Sequence, residues 1–192
     1  MCLVRFTPRY RTPQSQLAVS TASGEEDVRA KVHLKENDVK TLIDPGNHIY
    51  GHPFGISEDD FIKSEGAPTG YLKVSRSTAV MIYGKSHAFV FTDGKLSGLR
   101  IASQVFDWRI ANNLPADTVH TAENWTLSNG LHADMTIAEV KKLLGERLIE
   151  NDYRTYFDVG GRRVELDFVT YTSGDRSGER RICGIYLGKK ND

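Results

Sequence analysis

Cysteine is scarce in this chain of 192 residues: there are two, Cys2 and Cys183, at opposite ends. Two cysteines so placed form neither a disulfide framework nor a zinc-ligand pattern. An excess of charge of one sign is also missing. Lys plus Arg and Asp plus Glu number 25 each, and residues 1–53 carry seven basic and six acidic groups, so the balance holds locally too. Without a broad positive field, nucleic acid is not expected as a partner. Long apolar runs are absent as well. None approaches the ~20 residues that a membrane-spanning helix needs, so no membrane span is expected.

Catalytic motifs are wanting in the same way. "GKS", Gly84 to Ser86, has the ring of a phosphate loop, but Ala79 stands where the first glycine belongs, and "HAFVF" after it reads as strand rather than helix. His48 and His52 are four residues apart, yet "DPGNHIYGHPFG" is too rich in Gly and Pro for a helix that would put both on one face. No catalytic residue, metal site or cofactor is therefore expected. The stretch "LAVSTASGEE", Leu17 to Glu26, has the small residues of a signal-peptide cleavage site, but polar "RYRTPQSQ" precedes it instead of an apolar segment. As written the chain is expected in the cytoplasm, and in the periplasm or outside the cell if the native start differs. Residues 1–27, polar and interrupted by Pro8 and Pro13, are expected to be a disordered arm.

What is present is a phrase written twice. "MTIAEVKKLLG", Met135 to Gly145, pairs Thr136 with Glu139 as a capping box. Met135 and Val140 form a hydrophobic staple, and Ile137, Val140, Leu143 and Leu144 share one helical face before Gly145 stops the helix. "ISEDDFIKSEG", Ile56 to Gly66, follows the same grammar with Ser57 as cap, Asp60 in the Glu place and Pro68 beyond the stop. Glu58, Asp59 and Asp60 then suit the positive end of a helix dipole rather than a metal.

Strand text follows both helices. After the first come "AVMIY", "HAFVFT", an Asp93-Gly94 hairpin signal and "KLSGLRI"; after the second come "YRTYFDV", Gly160-Gly161, "RRVELDF" and "RICGIYL". Leu99 and Ile101 align with Ile185 and Leu187, and Ser97 with Cys183, which makes Cys183 a small side chain on the core side. The pattern predicts an α+β fold of two tandem helix-plus-three-stranded antiparallel sheet (α-β-β-β) units. The first spans residues 28–114 with a leading strand and linker, and the second spans 115–192.

The segments "GISEDDFIKSEGAP" and "DMTIAEVKKLLGE", each followed by a three-stranded meander, resemble two related bacterial groups. These are the outer-membrane assembly lipoproteins of the small membrane protein A type and the tandem β-lactamase inhibitor proteins. The likeness covers residues ~50 to 101 and ~130 to 187. Asp134 stands where those families often have Gly, Glu146-Arg147 where they often have x-Pro, and Glu65 where they have Leu. The resemblance implies a non-enzymatic, protein-binding role in or beyond the bacterial envelope, as an inhibitor, an immunity-type antidote or an adaptor.

Such a role would use the sheet faces that the helices leave uncovered. Strand alternation assigns Met81, Tyr83, Leu96 and Arg100 to that face in the first unit. In the second it assigns Tyr156, Arg163, Glu165, Asp167, Ile182 and Tyr186. A surface mixing Tyr, Arg and aliphatics is what protein interfaces favour at their centre. The alternative is an enzyme or small-ligand protein with a site between the units, using His48, His52 or His87.

Overall fold

The computed structural model describes residues 43–102, 122–123 and 125–190. The arm 1–27 and the boundary at 114/115 lie outside the described residues. Three two-residue strands open the described fold as a small antiparallel sheet: β1 (Ile43–Asp44), β2 (His48–Ile49) and β3 (His52–Pro53). Helix α1 (Glu58–Glu65) leads into β4 (Gly70–Lys73), β5 (Thr78–Tyr83), β6 (His87–Thr92) and β7 (Lys95–Ala102). Helix α2 (Ile137–Leu144) continues as a 3-10 turn and leads into β8 (Ile149–Glu150), β9 (Thr155–Val159), β10 (Arg162–Thr170) and β11 (Arg180–Lys189).

The architecture corrects the expected fold class. The described residues are mainly β, with two helices of eight residues each, and they do not form two tandem α-β-β-β units. Strands β4 to β11 build one continuous antiparallel sheet in the order β4-β5-β6-β7-β11-β10-β9-β8. The physical reason lies at the seam. β7 and β11 pair with each other, Leu99 opposite Leu187 and Ile101 opposite Ile185, so two would-be edges satisfy one another's backbone groups. Each helix is also followed by a strand that the sequence pattern did not reveal, β4 after α1 and β8 after α2.

Local grammar explains the elements. In α2 the Thr136 hydroxyl accepts from the Glu139 N–H, and the Glu139 carboxylate accepts from the Thr136 N–H at 2.7 Å. In α1 Ser57 caps Asp60 in the same sense, but the shorter Asp60 side chain accepts from the Ser57 hydroxyl and from Lys63 rather than from the Ser57 N–H. Asp93-Gly94 (φ 51° and 70°) and Gly160-Gly161 (φ 56° and 74°) make two-residue hairpin turns, where both positions need positive φ.

One core holds the molecule together. Phe61 of α1, Val140 and Leu144 of α2, and Ile43 and Ile49 of the small sheet all pack on the same face of the large sheet. Trp125, Leu127 and Leu131 complete this layer, with Leu127 bridged to Ile43. The face beneath is alternate residues of the strands: Ala79, Met81, Tyr83, Phe89, Phe91, Leu99, Ile101, Ile185, Leu187, Val164, Leu166 and Phe157. Phe61 is the hub of an aromatic cluster, with ring centroids 4.8 Å from Phe89, 5.4 Å from Phe91 and 5.8 Å from Tyr83.

Met81 and Tyr83 are therefore corrected. They were expected on the uncovered face, and they are 0% and 3% exposed in the core. "AVMIY" is apolar at every position, so it gives no alternation from which to read its face. Leu96 and Ile182 are corrected for a different reason. The β6–β7 ladder shifts register so that Ser97 is the extra residue, and the β10–β11 ladder shifts so that Cys183 is. A bulge reverses the parity of everything before it, turning Leu96 and Ile182 inward. Cys183 is thus a half-buried bulge residue rather than a core filler, and it is disulfide-bonded.

Candidate partner-binding face

Register alone assembles the large sheet's other face. Reading across the strands, Ile149 lies opposite Tyr156, Tyr156 opposite Glu165, Glu165 opposite Tyr186, and Tyr186 opposite Arg100. The same line runs on through Ala88 and Ile82 to Gly70. A second line, two residues along, joins Asp158, Arg163 and Gly188. Arg100, Tyr156, Arg163, Glu165, Asp167 and Tyr186, six of the ten residues that strand alternation assigned to the uncovered face, are brought onto this one surface. Tyr156 and Tyr186 are one strand apart and half-buried, and α2 lies on the opposite side of the sheet.

The charged groups of this face hold one another. Arg163 donates to Asp158 at 3.0 Å and its guanidinium stands 4.0 Å over the Tyr156 ring. Arg154 donates to Glu165 at 2.9 Å, and Arg100 to Asp167 at 2.5 Å. Hydrogen bonding by Arg163 and the nearby Lys190 hold the Asp158 carboxyl below the usual carboxylate range, against a smaller opposing effect of burial. Asp167 behaves oppositely. Burial pushes its carboxyl above 3.8, and the charge of Arg100 only partly offsets this. Burial likewise raises the Tyr186 phenol, with Glu165 adding to the effect.

Beside this polar belt the face turns apolar. Ala88, Ala102 and Val80 form a second small cluster, and Ile82 is 6% exposed. Sequence reading missed this patch because the same uniform run that hid the face of Met81 also hid that of Val80 and Ile82. Three glycines, Gly98, Gly184 and Gly188, lower the centre of the face. A Cβ at Gly98 would lie 2.5 Å from the Leu187 carbonyl oxygen, and one at Gly184 would lie 2.6 Å from that of Ile101. At Gly188 it would meet the Tyr186 hydroxyl, because that ring lies along the strand over the glycine.

The histidines of the alternative reading lie elsewhere. His52 Nε2 is 2.5 Å from Glu65 Oε1, with its ring 4.7 Å from that of Phe61. His87 Nδ1 is 3.0 Å from Ser86 Oγ, and its Nε2 is 2.6 Å from the Tyr50 hydroxyl. Burial raises both the Tyr50 and Tyr83 phenols far above their ordinary value, with the Glu65 charge adding to it. His48, on β2, has a buried Nδ1 without a hydrogen-bond partner. Among the described residues no three His, Cys, Asp or Glu side chains converge as a metal site, and no helix is long and apolar enough to cross a membrane.

No family model and no curated protein matches the chain. Among solved structures it is similar to an extracellular protein containing an SCP domain from Bacillus anthracis str. Ames, at 10% identity and a TM-score of 0.45. That match covers 85% of this chain, and the chain spans about half, 50%, of the other protein. A likeness of this degree carries no argument about what this chain does.

Proposed function

We propose that the protein acts by binding another protein through the outer face of its large sheet, without catalysis. The observation that carries this reading is the transverse row Tyr156, Glu165, Tyr186 and Arg100, continuous with the apolar Ala88 and Ile82. An antiparallel sheet tolerates a wet face, but such a face is ordinarily polar along its length. Here tyrosine and arginine adjoin an apolar patch, the composition of an interface core with its surround. The internal pairing of the arginines pre-orders their side chains, which reduces the entropy lost on docking. An inhibitor, an immunity-type protein or an adaptor of the bacterial envelope is the class of role that this reading and the sequence resemblance share.

The test compares immobilised wild type with a Tyr156→Ala/Tyr186→Ala double variant in capture from the source cell. A protein held by the first and lost by the second is then purified and its affinity measured. Each truncation is expected to weaken binding by at least ~1 kcal/mol. Capture of the same proteins with the same affinity by both would overturn the reading.

The contact chain Ser86–His87–Tyr50 favours the enzymatic alternative, since Ser and His lie within hydrogen-bond reach. Yet Ser86 and His87 are 5% and 1% exposed. They lie at the other end of β6 from a cleft of about 380 Å³ lined by Phe54, Lys95 and Arg162. Turnover of a small substrate by the wild type but not by His87→Ala would establish that alternative in place of binding.

A further inference from the structure

We infer that this cleft, at the turn end of the sheet, is a binding site for a small oxyanion, a carboxylate or phosphate group, gripped by Arg162. Its walls come from the β6–β7 turn, the β9–β10 turn and Phe54, and its volume of about 380 Å³ falls in the range of small-molecule sites. The charge of the walls is one-sided. Among the described residues Arg162, Lys95 and Lys189 line it and no Asp or Glu does, in a chain whose net charge is zero. Arg163, Arg100 and Arg181 of the same sheet have carboxylate partners in Asp158, Asp167 and Glu179, whereas Arg180 is stacked on Phe168 at the far end of β11.

Arg162 has none among the described residues. Its guanidinium is stacked on the Phe54 ring, 3.2 Å from the centroid, and Nη1 donates to the Ser97 carbonyl at 2.7 Å. One of five N–H groups is thus engaged, and the other four face no protein acceptor among the described residues. Burial disfavours its charged form, and no acid among the described residues offsets this. A half-buried cation without a counter-ion is costly, and an arriving oxyanion supplies what the protein withholds. The stacking fixes the guanidinium plane beforehand, as recognition of a planar or tetrahedral oxyanion requires. Lys95 has a competing acid. It lies close enough to Asp60 to influence it, but Asp60 is already paired with Lys63 at 3.1 Å.

The site is separate from the outer face and the proposal does not depend on that reading. Its occupant is identified by chemistry, and the two sources of that chemistry are separated by the probe. Amide and Arg Nε NMR shifts are followed during titration with inorganic phosphate in one arm and acetate in the other, at constant ionic strength set with chloride. Saturable shifts confined to Gly55, Ser97, Gly161 and Arg162 are expected in at least one arm. Tighter binding of phosphate points to a phosphate ester, and tighter binding of acetate to a carboxylate. Arg162→Gln should weaken binding at least tenfold. Lys189→Gln, an exposed change at a strand end that leaves Arg162 and Phe54 themselves intact, should weaken it about threefold. The inference is overturned if neither anion saturates, or if both variants bind as the wild type does.

Discussion

Tyr186 and Asp167 show how much of this protein's chemistry is set by individual side chains on a crowded sheet face. Tyr186 lies over Gly188, a position where any side chain would collide with its hydroxyl. Glycine at that position leaves room for the ring to lie along β11. Asp167 is held by Arg100 yet titrates upward, because the loss of hydration outweighs the attraction. The sign of the linkage follows. Between pH 3.8 and the higher folded value, the native state binds more protons than the unfolded chain, so Asp167 lowers stability as pH rises through that window. A carboxyl carbon NMR titration should place its midpoint above 3.8, and Asp167→Asn should remove the fall in stability across the window. A midpoint below 3.8 would mean that Arg100 wins over burial.

Helix α2 makes a sharp pair of comparisons at the scale of elements. Leu144 is 3% exposed and packed on the sheet, whereas Lys142, two residues earlier, is exposed. Leu144→Ala should cost ~2 to 5 kcal/mol and Lys142→Ala less than about 0.5 kcal/mol in urea unfolding. Leu143, half-buried against the core, should fall between them. Thr136→Ala removes the reciprocal cap and should cost ~0.5 to 2 kcal/mol. Strand β11 offers a test of the seam. Gly184→Ala drives a methyl into the Ile101 backbone oxygen, which cannot swing away as a side chain would, and should destabilise by about 1 to 3 kcal/mol. Gly46→Ala meets only ordinary contacts and serves as the control. Equal melting temperatures for the two would show that the β7–β11 approach is looser than described.

The continuity of the large sheet decides how the whole molecule should unfold. Two separate units would lose structure in two steps, each with its own midpoint. One core spanning α1, α2 and both sheets should instead unfold in a single transition. Tryptophan fluorescence, to which the fully buried Trp125 contributes, and far-ultraviolet circular dichroism should therefore give the same urea midpoint. Midpoints that differ between the two probes would restore a divided molecule.

Much of the local structure was legible in the residues themselves. Thr136 with Glu139 announced a helix start, Asp93-Gly94 a hairpin, and the alternation of Arg163, Glu165 and Asp167 with Val164 and Leu166 a strand with two unlike faces. These are short-range properties, fixed by caps, turns and the period of two. The resulting placement of Arg163, Glu165, Asp167, Tyr156 and Tyr186 on one face follows from them. The sequence could not show which strands would pair across a long separation. β7 and β11 join because each has an unsatisfied edge, and no pattern in either strand names its partner. Nor could it show the bulges at Ser97 and Cys183, where one extra residue turns Leu96 and Ile182 inward. In "AVMIY" both faces are apolar, so only the packing of Phe61 against Tyr83 and its neighbours decides that Met81 and Tyr83 belong to the core while Val80 and Ile82 face outward.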